Sequence, residues 1–130
     1  MKDKRPVNLP LSQVIAVNAK SPVAIASILH RMSGIILFLL VPLFLWIMQT
    51  SLASEAGFRY VIDTVFDNIL VRFTVWVMVA GMLYHMIAGF KHLFADMGFA
   101  EELGSGRAAA WVSLALSGVA VVGSFIWIML

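Results

Sequence analysis

The sequence contains no cysteine, and only 12% of its 130 residues are charged. Without thiols the chain builds no disulfide, no thiolate zinc site and no iron–sulfur cluster, so any such cluster working with it belongs to another polypeptide. The scarcity of charge excludes an ordinary soluble domain, which carries about twice as much. A net charge of +2 arises mainly at the amino terminus and gives no nucleic-acid signature. No phosphate-binding loop or activated nucleophile is visible, so the chain is not a catalyst on its own.

What is present is apolar. Hydrophobic residues make up 62% of the chain and mean hydropathy is +0.96. Three long apolar stretches, about 22–50, 65–94 and 108–130, account for the excess. Each exceeds the ~20 residues that carry a helix across the hydrocarbon. The expected fold is all-α and integral to a membrane, with a polar lead over residues 1–20 and an anchor domain of three transmembrane helices over 21–130. Ser21 and Pro22 suit a helix start, Pro6 and Pro10 keep the lead extended around them, and Pro42 predicts a kink or a freed carbonyl in the first span. That span is too long for a secretory h-region, so it is expected to be retained.

Lys2, Lys4, Arg5 and Lys20 lie in the lead, whereas the first connection holds only Arg59. The positive-inside rule then places the amino terminus in the cytoplasm and, after three spans, the carboxyl terminus outside.

Two polar stretches interrupt the apolar pattern. In Ser27-Ile28-Leu29-His30-Arg31-Met32-Ser33-Gly34, residues 27, 30 and 31 fall at i, i+3 and i+4 on one helix face at the mouth of the first span. Ionisable groups at such a place mark function by default, although a lone arginine there also snorkels to headgroups. The second stretch runs from Tyr84 to Gly98. His85 precedes Lys91 by six residues, ~9 Å along a helix, which sets it inside the hydrocarbon. An imidazole at that depth serves either as a metal or haem ligand or as a hydrogen-bonded packing residue. Gly81, Ala88 and Gly89 near its face permit close approach of a macrocycle or another helix. His92, beside Lys91, is expected to face water or a lipid phosphate. Asp96 stands one turn further, a weak partner for His92, and Gly98 is a helix stop. The first span descends from the cytoplasm and the second returns to it, so Ser27, Arg31 and His85 are expected at comparable depth.

Those two stretches, together with Arg5-Pro6-Val7-Asn8-Leu9 in the lead, resemble the cytochrome b556 membrane-anchor subunits of bacterial succinate dehydrogenases, respiratory complex II, over essentially the whole chain. The resemblance implies half of a haem-binding helical bundle in the bacterial inner membrane, with a periplasmic carboxyl terminus. It assigns His85 as an axial ligand of one b-type haem, the opposite ligand coming from a second anchor subunit. It places His30 and Arg31 near the haem propionates, and Ser27 and Arg31 at the ubiquinone site. The implied partners are that second anchor, an iron–sulfur subunit, a flavoprotein that oxidises succinate, and membrane lipid. Lys91 stands where an arginine is commoner, which keeps the charge. The alternative within electron transfer is a fumarate reductase cytochrome b anchor, and a structural or transport subunit without cofactor is the alternative of a different class.

The third stretch has no ionisable side chain beyond Ala108. Ser113, Ser117, Gly118 and Gly123 suggest close helix packing there, with Trp111 and Trp127 suited to the two membrane interfaces.

Overall fold

The computed structural model describes residues 10–100 and 102–130. Arg5 to Leu9, quoted above for the lead, lies outside them. Five α-helices follow in order: α1 (Leu11–Asn18), α2 (Pro22–Ala53), α3 (Glu55–Tyr60), α4 (Ile69–Asp96) and α5 (Leu103–Met129). No strand occurs among the described residues.

Among the described residues, helices α2, α4 and α5 are the three long and apolar enough to cross a membrane, with mean hydropathies of 2.2, 1.6 and 2.1 over their richest windows. At 32 residues, α2 extends ~48 Å, well beyond a hydrocarbon layer of ~30 Å. Large apolar side chains such as Phe38, Leu39, Val119 and Trp127 lie largely exposed around the outside. In water such a surface would be an aggregation liability; in lipid it is the solvated face. The protein spans a membrane.

Local chemistry explains the helix ends. Ser21 accepts a hydrogen bond from the Ala24 amide, and Pro22 occupies the first turn of α2. The helix passes through Pro42 without a break. It stops at Ser54, whose hydroxyl accepts from the Gly57 amide and starts α3. A π-helical stretch, Val61–Val65, follows α3 and buries Val61 and Val65. The second long helix therefore begins at Ile69, later than the hydropathy pattern indicates, because Asn68 caps it through the Leu70 amide. At its other end Gly98 adopts φ 87°. The Phe99 and Gly98 amides bond to the Phe94 and Ala95 carbonyls, and the Phe94 and Phe99 rings meet edge to face. This is a Schellman stop with its hydrophobic contact, and it turns the chain into α5 within a few residues.

α4 is central, packed against both α2 and α5. The α5 seam is built from Ala110, Ser113, Ser117 and Ser124, all buried. A Cβ added at Gly118 or Gly123 would meet nothing within 4 Å, so those glycines are not at the interface. The spacing 110, 113, 117, 124 is a 3-4-7 rhythm, which keeps one stripe facing a neighbouring helix; the two glycines fall outside it. Trp111 and Trp127 are exposed, 61% and 81%, and ~24 Å apart along α5, a separation that suits the two interfaces.

Arg72, in the first turns of α4, donates from Nε and a terminal nitrogen to the Ile128 carbonyl at 3.2 and 2.8 Å. That carbonyl belongs to the last turn of α5, where partial negative charge collects. Replacing Arg72 with Met is expected to lower stability by about 1–2 kcal/mol, read as an earlier thermal unfolding midpoint in detergent. Arg59→Ala, which removes the exposed i, i+4 pair with Glu55, should leave the midpoint nearly unchanged.

Candidate functional site

Near one end of the bundle α2 and α4 run antiparallel in a register that the glycines make close. A Cβ at Gly34 would stand 3.2 Å from His85 Cε1, one at Gly81 would touch Leu37, and one at Gly89 would stand 3.7 Å from His30 Nε2. Residues 34, 37 and 30 thus lie opposite 85, 81 and 89. The missing side chains are what let two imidazoles fit between the helices.

His85 and His30 stack face to face, ring centroids 4.0 Å apart at 23°. His92 follows on the other side of His30, at 5.2 Å and 47°. His92 is half-buried in this ladder rather than turned to water, because its i+7 spacing from His85 carries it to the same α2-facing side. Asp96 is exposed and forms no ion pair with it among the described residues. Stacked rings present faces to one another, not converging lone pairs; no group of three or more ligands arranged for a metal ion occurs among the described residues.

The His85 Nδ1 atom lies 3.0 Å from the Ser33 hydroxyl, which itself donates to the His30 carbonyl at 2.7 Å. A hydroxyl has one proton and a carbonyl only accepts, so Ser33 accepts from Nδ1–H. His85 is therefore the Nδ1-protonated tautomer with its lone pair at Nε2. The Tyr84 hydroxyl donates to the Ala26 carbonyl at 2.9 Å, a second tie between α4 and α2. Two buried side-chain atoms lack any partner among the described residues, His30 Nε2 and Ser113 Oγ.

The residues of the first motif separate. His30 turns inward against His85, Arg31 is exposed on the outside of α2, and Ser27 is half-buried. Arg31 shares the level of the Ser33–His85 pair to within ~3 Å, but Ser27 lies ~9 Å nearer the start of α2. By the same register it stands opposite His92, so comparable depth holds for Arg31 and not for Ser27. Ser33 and Tyr84 were given no role from sequence. The three-residue step from His30 to Ser33 was the available signal, since it puts both on one face.

Two antiparallel spans that hold a ladder of imidazoles, one of them in a single tautomer, define a membrane helical protein built around a half-buried nitrogen-rich site. Residues 1–126 match the family of succinate dehydrogenase/fumarate reductase transmembrane subunits, and the chain belongs to that family. It is 37% identical over 128 residues to the succinate dehydrogenase cytochrome b556 subunit of Coxiella burnetii, covering 98% of this chain and 99% of that one. It is 29% identical over 106 residues to the subunit of the same name from Paracoccus denitrificans, covering 79% and 78%.

Proposed function

We infer that the chain is the membrane anchor of a succinate:ubiquinone oxidoreductase, sharing one b-type haem with a second anchor subunit and contributing to the site where ubiquinone is reduced. The observation that carries this reading is the state of His85: its Nδ1 is engaged by Ser33 and its Nε2 is left without a protein partner among the described residues. Ligating histidines have this arrangement, one nitrogen hydrogen-bonded and the other free to bind metal.

The residues present fit a haem. Gly34 and Gly89 give the His85 and His30 rings their room, and the unpartnered His30 Nε2 is a polar atom in want of a partner such as a propionate oxygen. His85 would hold the iron, with His30 and Arg31 toward the propionates. When bound, a b haem supplies one-electron storage beside the quinone site.

Arg31 is exposed on α2, and no acid among the described residues pairs with it. Its guanidinium is therefore open to what packs around α2: the other subunits and the quinone. A quinone carbonyl gains negative charge on reduction, which a fixed cation and a hydroxyl such as Ser27 stabilise. Electrons would come from an iron–sulfur partner served by a flavoprotein, since this chain has no cysteine to hold a cluster. The basic lead supports an amino terminus in the cytoplasm of a bacterial inner membrane, with the carboxyl terminus in the periplasm. The test is a reduced-minus-oxidised spectrum of the purified complex. Sharp b-type bands are expected, and a complex without them would leave only a structural anchor.

A further inference from the structure

We propose that Ser33 is the positioning residue that sets the electronic character of the His85 ligand, through a relay that runs from His85 Nδ1–H to the Ser33 hydroxyl and on to the His30 carbonyl. This inference rests on the haem-ligand reading of His85 and adds to it a residue that acts through the ligand rather than on the iron.

The geometry is specific. Ser33 is 6% exposed, so water does not compete for its hydroxyl. Its proton is committed to the His30 carbonyl at 2.7 Å, an i−3 backbone acceptor within α2. That commitment polarises the oxygen and makes it a better acceptor for His85 Nδ1–H at 3.0 Å, as successive hydrogen bonds in one chain strengthen each other. Drawing the Nδ1 proton toward Ser33 enriches the ring in electron density and makes Nε2 the stronger donor. A stronger donor favours ferric over ferrous iron, so the hydroxyl holds the haem potential down. The relay also ties the ring plane to the α2 backbone one residue before Arg31, so the ligand and the quinone-side helix share one rigid element.

The buried serines of α5 provide the contrast. Ser117 bonds only to its own helix, donating to the Ser113 carbonyl at 2.7 Å, and touches no histidine through a hydrogen bond. It reports what loss of a buried serine hydroxyl does in general.

The experiment uses the whole complex in membranes or detergent, with haem content and midpoint potential measured for wild type, Ser33→Ala, Ser33→Thr, Ser117→Ala and His85→Ala. Ser33→Ala should raise the potential by a shift of about tenfold in ferric-to-ferrous preference, ~59 mV for one electron, or release the haem. Ser33→Thr retains a hydroxyl suited to the i−3 carbonyl and should stand close to wild type. Ser117→Ala should leave the potential unchanged. A Ser33→Ala complex with wild-type potential overturns the proposal, as does a threonine variant that fails in the same way as alanine. If the bands survive in His85→Ala, the ligand reading itself falls and the relay with it; if they vanish there while Ser33→Ala is silent, only the relay falls.

Discussion

Replacing His85 with Ala is expected to abolish the b-type absorbance of the assembled complex, and His85→Gln should do the same. The two substitutions separate ligation from packing. Glutamine keeps a side-chain amide able to bond with the Ser33 hydroxyl, the contact that His85 Nδ1 makes at 3.0 Å. A histidine that merely packed would then lose about 1 kcal/mol on conversion to Ala and less on conversion to Gln, with no spectral consequence. Loss of an iron ligand is of another order. Changes one shell further out already cost 10–100-fold in metal affinity, and removal of the ligand itself should lower haem content at least as far. Haem extracted from equal amounts of complex, quantified against bound flavin, gives the readout. Wild-type haem content in both variants would remove His85 as a ligand.

How much of this was legible beforehand depended on whether a feature was local. The start of α2 at Ser21 and Pro22 and the stop at Gly98 were readable, because capping and positive φ are properties of a few adjacent residues. Helix phase was not. Gly118 and Gly123 are the smallest residues of α5 yet face open space, while Ser113, Ser117 and Ser124 form the seam; composition marks small residues, but the seam is set by which stripe meets α4. His92 was misjudged by its neighbour. Lys91 suggested a watery boundary, whereas the seven-residue step from His85 decides the direction of the ring. Ser33 and Arg72 act across 52 and 56 residues of sequence, and nothing in the nearby chain indicates that partner.

The structure also changes what the first motif means. Its three polar residues do not form one cluster: His30 belongs to the imidazole ladder, whereas Arg31 is exposed. The motif thus spans two environments, with His30 facing α4 and Arg31 left exposed. One turn of helix holds both side chains, which keeps them at a set separation whatever the rest of α2 does.

That division underlies the last expected result. Arg31→Leu should depress quinone reduction on the order of 10²-fold, as removal of a transition-state charge donor does elsewhere, and Ser27→Ala roughly tenfold, one neutral hydrogen bond. Succinate oxidation by an artificial acceptor should survive in both, because that reaction ends before the membrane domain. Arg31→Lys tests the geometry: it preserves charge but loses the planar fork, and should fall between wild type and leucine. Since Arg31 is exposed on this chain and His30 carries the contact with His85, haem content should change little in any of the three. Equal loss of both activities would indicate a failure of assembly and defeat the quinone role. Loss of haem with quinone reduction intact would move Arg31 to the haem side alone.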